Sequence, residues 1–191
     1  MKLFDTCYWL WPGILSPELC DAIILEGDKL ISMDGRVGGN GHPGSHNTEI
    51  RDTNISWFSD QHWVEGIMLH YGNLANIASG WDFHLTSAQN VQYGRYFPDQ
   101  HYTGHRDDTI SYNRKTMRKM SVVIQLSDPR DYEGGDFLMD LNETDTWTAV
   151  QEFKQRGSVI AFPSLMKHEV MSVTSGVRHS AVCWIEGPNF R

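Results

Sequence analysis

Cysteine is scarce in this sequence: Cys7, Cys20 and Cys183 are the only three in 191 residues. They are odd in number and far apart, which excludes a zinc ribbon or a thioredoxin-like pair, since both need closely spaced cysteines. Free thiols in a reducing compartment are expected instead. Basic residues are outnumbered, with 16 Lys and Arg against 24 Asp and Glu, for a formal net charge of −8 with histidines neutral. No basic stretch offsets that balance, so neither nucleic acid nor an anionic membrane is expected as a partner. Long apolar runs are missing too. The segment LFDTCYWLWPGIL is interrupted by Asp5 and closed by Pro12, and Lys2 is its only basic residue, a poor match to a secretory signal. No other run approaches the roughly 20 apolar residues of a membrane span. Repeats and low-complexity segments are absent, and nothing reports on oligomeric state. A soluble cytoplasmic protein is the expectation.

What is present suffices for one substantial core. A chain of 191 residues that is 40% hydrophobic reads as a single domain over 1–191. Ser16-Pro17 pairs a capping residue with a proline at the first helical position, and Leu19, Ala22, Ile23 and Leu30 follow at roughly helical spacing, which predicts a helix near 17–30. The next stretch, MDGRVGGNGHPGSHN, holds five glycines and one proline in fifteen residues and predicts a mobile loop over 34–47. Trp63, Val64, Ile67, Met68, Tyr71, Leu74 and Ile77 trace one face of a second helix, with Asp60 as its cap and Gly80 as its stop. Beyond residue 80 the rhythm changes to short β-type runs: WDFHL, AQNVQYGRYF, MSVVIQLS, DFLMDL, GSVIAF, HEVMSV and SAVCWIE. Turn signals such as DPRDYEGGD separate them. Helices first and strands after predict a mostly β, α+β protein, with helical support over about 1–80 and an antiparallel sandwich or barrel over about 81–191.

The segment HYTGHRDDT carries His105-Arg106-Asp107. In an extended strand, residues i and i+2 point to one face, so an imidazole and a carboxylate converge. A one-residue register slip would present Asp108 instead; the i, i+2 geometry favours Asp107. His168, at the head of HEVMSV, returns across the same sandwich as a third ligand. Two histidines and one carboxylate on one face of an iron leave open positions for a chelating cosubstrate and for dioxygen. Arg178 follows His168 after a TSG turn, at the start of the adjacent strand. A buried arginine there needs a carboxylate partner, and the distal carboxylate of a dicarboxylic cosubstrate supplies a bidentate one. The bland readings are a surface turn for H-x-D and a strand-end ion pair for Arg178.

QYGRYFPDQHYTGHRDD, LSDPRDYEGGDF and GSVIAFPSLMKHEVMSVTSGVRHSAVCWI, in that order and spacing, resemble the prolyl 4-hydroxylase-like branch of the iron(II)/2-oxoglutarate dioxygenases, including its short bacterial and phage-type members. The resemblance covers roughly residues 49–188. It implies a double-stranded β-helix, or jelly roll, with His105, Asp107 and His168 as iron ligands and Arg178 as the residue that holds the cosubstrate's distal carboxylate. Tyr93 and Tyr96 both fall where the family places a tyrosine that hydrogen-bonds the cosubstrate, Tyr96 being the preferred of the two. Iron(II), 2-oxoglutarate and dioxygen are the implied cofactor set, with ascorbate as a candidate addition. Gly134-Gly135 match a turn into a strand, Pro163 and Ser164 a loop that orients His168, and Trp184 an aromatic of the last core strand that reads best as packing. The Gly-rich segment and EIRDTNISWF lie where the family shapes its substrate entrance, which makes the first a candidate lid and Arg51 and Trp57 candidate substrate contacts. His101 and His179 stay outside the metal set, and a second site at His42 and His46 lacks acidic partners.

The implied reaction couples oxidation of 2-oxoglutarate, giving succinate and carbon dioxide, to hydroxylation of a C–H bond, with a prolyl residue of a peptide or protein as the implied substrate. Related scaffolds act on other amino-acid residues, on free amino acids or, more distantly, on nucleic acids. The cluster Arg114, Lys115, Arg118 and Lys119 is read as a solvated loop face rather than a nucleic-acid groove. Two other classes compete: a catalytically silent jelly-roll binding module, which should have lost a ligand, and a metal-binding cupin, which has no need of Arg178.

Overall fold

The computed structural model describes residues 4–39, 42–108 and 115–189. In chain order its strands are β1 (Trp9–Trp11), β2 (Met33–Asp34), β3 (Val37–Gly39), β4 (His42–Ser45), β5 (Arg51–Asp52), β6 (Asn54–Trp57), β7 (Ser87–Ala88), β8 (Gln92–Tyr96) and β9 (His101–His105). They continue as β10 (Thr116–Gln125), β11 (Tyr132–Gly134), β12 (Phe137–Asp140), β13 (Trp147–Ala149), β14 (Val159–Pro163), β15 (His168–Val170), β16 (Val173–Gly176) and β17 (Arg178–Pro188). The helices are α1 (Pro17–Gly27) and α2 (Trp63–Ala78). A major antiparallel sheet runs β1-β14-β10-β17-β8-β6-β2, with β7 on β17, and a minor one runs β13-β12-β15-β9-β5.

Strand alternation builds two cores from one sheet. Along β10, Met120, Val122 and Ile124 belong to the core under the helices, while Val123 belongs to the core between the sheets. On β14, Val159 and Ala161 face the helices and Ile160 and Phe162 the interior; on β17, Ala181, Cys183 and Ile185 face the helices and Val182 the interior. With successive side chains on opposite faces, the continuous apolar runs MSVVIQLS and SAVCWIE mark strands covered on both sides. The two sheets face one another as a jelly roll, with the helices on the outer face of the major sheet.

The expected helices form, with local differences. Ser16 caps α1, its hydroxyl accepting from the Leu19 amide. The cap of α2 is His62, whose ring accepts from the Val64 amide, and not Asp60. Its buried face is Val64, Met68, Gly72 and Ala75, whereas Leu74 and Ile77 are exposed. Gly72 turns the helix this way: a β-carbon there would stand 2.4 Å from Ile185 Cδ1, so the helix backbone lies directly on β17.

The run WDFHL is not a strand. Asn76 of α2 accepts from the Phe83 amide and donates to its carbonyl, at 3.0 and 2.9 Å, and Trp81 donates to the Thr6 carbonyl at 2.7 Å. Its polar groups thus find partners without a ladder. The Gly-rich segment holds the β3–β4 ladder where an unstructured loop was expected, with Val37 opposite Ser45. The N-terminal part is not helical support alone, because β1, β2, β5 and β6 extend both sheets. Arg118 and Lys119 do not form a solvated face either. A bulge between Arg118 and Met120 turns Arg118 onto the Trp184 ring, 3.8 Å from its centroid, and Lys119 is buried; Arg114 lies outside the described residues. No disulfide joins Cys7, Cys20 or Cys183, and among the described residues no helix is long and apolar enough to cross a membrane.

Candidate active site

Strand pairing alone brings the two histidines together. His105 ends β9 and His168 opens β15, the two are register partners, and their ring centroids lie 4.3 Å apart. Asp107 is not in the strand, as i, i+2 alternation assumes, but two residues beyond it. Its amide donates to the Ser164 carbonyl at 2.9 Å, and its carboxylate returns to 3.6 Å from His105 Nε2 and 3.5 Å from His168 Nε2. One ligand atom from each residue lies within 4.8 Å of the others, a group able to hold a metal ion.

The surrounding hydrogen bonds set the protonation pattern. His105 Nδ1 sits 2.9 Å from the Thr103 carbonyl and His168 Nδ1 3.0 Å from that of Met166. A carbonyl only accepts, so each Nδ1 carries the proton and each Nε2 lone pair turns toward Asp107. Ser121 Oγ donates to Asp107 Oδ2 at 2.6 Å, and Ser164 Oγ lies 3.0 Å from Ser121 Oγ. Ser121 has spent its one proton, so Ser164 donates to it. Ser164 thus orients Asp107 through its carbonyl and a serine relay, while Met166, whose amide donates to the Pro163 carbonyl, holds His168.

Burial alone would raise the Asp107 carboxyl, but His168, His105 and Arg118 outweigh it and hold the group well below the usual carboxylate range. Burial, reinforced by His105, pushes the His168 imidazole down to about 4. At neutral pH the set therefore offers an anionic carboxylate and a neutral imidazole, the forms that bind a divalent cation. Asp108 stands outside the group; burial raises its carboxyl.

Arg178 and Tyr96 are cross-strand partners on β17 and β8, and Tyr96 belongs to the core between the sheets. Arg178 is 2% exposed, its guanidinium carbon lies 5.4 Å from the Tyr96 ring centroid, and among the described residues no carboxylate pairs with it. Gly134 and Gly135, at φ +71° and +60°, make the turn beside it; a β-carbon on Gly135 would stand 3.0 Å from Arg178 Cδ. A small recess reaches Arg178, and Phe137 both lines it and packs on the His168 ring. Tyr93 faces the other way, into the core under the helices. Its hydroxyl donates to Asp28 Oδ1 at 2.9 Å and lies 2.6 Å from His179 Nδ1; burial and then Asp28 raise its pKa.

The other histidines stay apart from the group. His101 contacts the Asp99 and Glu49 carbonyls. His46 has an acidic neighbour after all, Asp34 at 3.7 Å, and the His42 side chain lies outside the described residues. Sequence reasoning missed Ser121, whose signal is a polar residue at an inward position of an otherwise apolar run. It also missed Tyr102, whose ring stacks on His105 at 3.4 Å between centroids and 11° between planes.

Jelly roll and largely buried His-Asp-His group together define a class, the metal-dependent oxygenases built on a double-stranded β-helix. Residues 91–186 match the family model of the 2OG-Fe(II) oxygenase superfamily, and the chain belongs to that family. A PKHD-type hydroxylase of Acinetobacter baumannii (strain SDF) is 31% identical over 186 residues, 92% of this chain and 76% of that protein. Of two further PKHD-type hydroxylases, from Crocosphaera subtropica and Colwellia psychrerythraea, the chain covers only 45% and 37%. A Pseudomonas putida prolyl-4-hydroxylase structure superposes with TM-score 0.69 at 19% identity, covering 97% of this chain and 95% of that one. A Trichoplax adhaerens prolyl hydroxylase, solved with a hypoxia-inducible-factor degradation-domain peptide, gives TM-score 0.69 at 17% identity over 95% and 84%. At these identities the two structures establish the fold.

Proposed function

We propose that this chain is an iron(II)- and 2-oxoglutarate-dependent oxygenase that hydroxylates a C–H bond, with a prolyl residue of a peptide or protein as its substrate. The observation that carries the reading is the pairing of a His-Asp-His group with the buried Arg178, with which no carboxylate among the described residues pairs. His105 Nε2, His168 Nε2 and the Asp107 carboxylate would hold the iron. Arg178 would grip the far carboxylate of 2-oxoglutarate bidentately, and the Tyr96 hydroxyl, on the same face, would donate to it. Iron and cosubstrate, when bound, supply the oxidising chemistry, in which 2-oxoglutarate becomes succinate and carbon dioxide as one oxygen atom enters the substrate. The protein's part is orientation and exclusion of wasteful reaction. Thr103 and Met166 carbonyls fix the imidazole tautomers, the Ser164–Ser121 relay fixes the carboxylate, and Tyr102 braces the His105 ring.

The prolyl substrate is supported by two structural neighbours that are prolyl hydroxylases, one of them holding a peptide. Ascorbate enters only as an external reductant that keeps the iron ferrous. The free thiols suit a cytoplasmic setting. Incubation of the purified protein with iron(II), 2-oxoglutarate, ascorbate and dioxygen should yield succinate, stimulated by prolyl peptides that gain one oxygen atom. Succinate formation that is absent, or that survives removal of iron by a chelator, would contradict the proposal.

A further inference from the structure

A second buried arginine stands on the metal side of the site without an acid. Arg51 on β5 is 7% exposed, and its hydrogen-bond partners are all neutral: Thr53 Oγ1 at 3.0 Å, the Arg36 carbonyl at 3.2 Å and Gln92 Oε1 at 3.3 Å. Among the described residues no carboxylate pairs with it. Asp52 on the same strand accepts instead from Gln100. The guanidinium lies over the Tyr102 ring, 4.5 Å from its centroid, and Tyr102 stacks in turn on His105, so Arg51 is two stacked groups from a proposed iron ligand. Gln92 is on β8 of the major sheet, which means that Arg51 bridges the gap between the sheets.

On the major sheet, β17 is also short of an acceptor. Trp184 is 6% exposed, and its indole N–H is buried with no hydrogen-bond partner. Its ring meets Trp57 at 6.1 Å and carries the Arg118 guanidinium, which Gln89 holds at 2.7 and 3.1 Å. A buried cation held only by neutral acceptors is costly unless an anion completes it. The cosubstrate's far carboxylate is already assigned to Arg178, at a different place in the fold.

We propose that Arg51 receives a carboxylate of the substrate, so that the molecule oxidised is acidic beside its reacting carbon. This inference rests on the oxygenase reading and adds a substrate class to it. A prolyl substrate would bring the carboxylate either on a neighbouring Asp or Glu or as the free α-carboxylate of a terminal or single residue; the chemistry at Arg51 is the same.

The test uses prolyl peptide pools matched except that Asp and Glu in one are Asn and Gln in the other, each with free and with amidated C-termini, plus free L-proline. Product is read as oxygen gain, and cosubstrate binding separately as the visible band of the anaerobic iron(II)–2-oxoglutarate complex. Carboxylate-bearing members should be oxidised at least about tenfold better than their amide counterparts, and Arg51→Gln should remove that preference while Arg51→Lys restores part of it. The band should form equally in all three proteins. Product confined to free C-termini assigns the α-carboxylate, and product in amidated acidic peptides assigns the side chain. Should Arg51→Gln fail to fold, the ratio between matched pools in the unmodified protein decides alone. Equal oxidation of matched pools, equal losses on both in Arg51→Gln, or no oxidised probe despite an intact band would overturn the proposal. Absence of the band from the unmodified protein would overturn the oxygenase reading itself.

Discussion

Strands β8 and β17 carry a polar cluster on each face, and the two clusters are finished to different degrees. On the helix side the Tyr93 hydroxyl meets both Asp28 and His179. On the inner side Tyr96 and Arg178, three residues along β8 and one back along β17, have no hydrogen-bond partner for hydroxyl or guanidinium among the described residues. Burial is similar, since Tyr93, Tyr96 and Arg178 are 0%, 6% and 2% exposed. The contrast is therefore not depth but completion. A buried polar group whose partners lie in the chain serves the fold; one whose partners are missing marks where a ligand goes.

The strongest way to break this comparison is Arg178→Ala. It should weaken 2-oxoglutarate binding by about a hundredfold or more, the loss typical of truncating one side of a buried charge pair. The melting temperature should hold, because no ion pair within the chain is lost; titration of the cosubstrate and a thermal melt check the two halves. Next in size, Ser121→Ala removes the hydroxyl that donates to Asp107. Iron(II) affinity should fall by about tenfold, the usual cost of deleting an outer hydrogen bond to a metal ligand, and calorimetry with iron(II) under argon measures it.

The smallest effects sharpen the comparison most. Tyr96→Phe should weaken cosubstrate binding by about fivefold, the worth of one hydrogen bond, with an unchanged melt. Tyr93→Phe should do the reverse, costing about 1–2 kcal/mol of stability while leaving the cosubstrate dissociation constant alone. If Tyr93→Phe weakened the cosubstrate and Tyr96→Phe did not, the two faces would have been assigned the wrong way round.

Much of this was legible in the sequence. The apolar runs located β8, β10, β14 and β17 of the major sheet and β12 and β15 of the minor one, and Ser16-Pro17 located α1, since these are local signals of period and capping. The His105, Asp107 and His168 group was legible because H-x-D and a later histidine converge wherever β9 pairs with β15. The route taken by Asp107 was not, because it depends on the Ser164 carbonyl, which a distant loop supplies. Choosing between Tyr93 and Tyr96 required strand parity: three positions apart, they face opposite ways, and only the register with β17 says which is inward. WDFHL misled because its apolar side chains are buried in a loop that Asn76 ties down. The cap of α2 misled because an imidazole, not the expected carboxylate, accepts the amide. Arg51 could be named from its position, but that it lacks an acid is a three-dimensional fact.

The central claim is that His105, Asp107 and His168 bind an iron to which 2-oxoglutarate adds. Anaerobic addition of iron(II) and 2-oxoglutarate to the purified protein tests it most directly, by the visible metal-to-ligand charge-transfer band. The account predicts a band in the unmodified protein and none in His168→Ala at the same concentrations. No band where a known oxygenase of this family gives one, or a band of full intensity in His168→Ala, would contradict it.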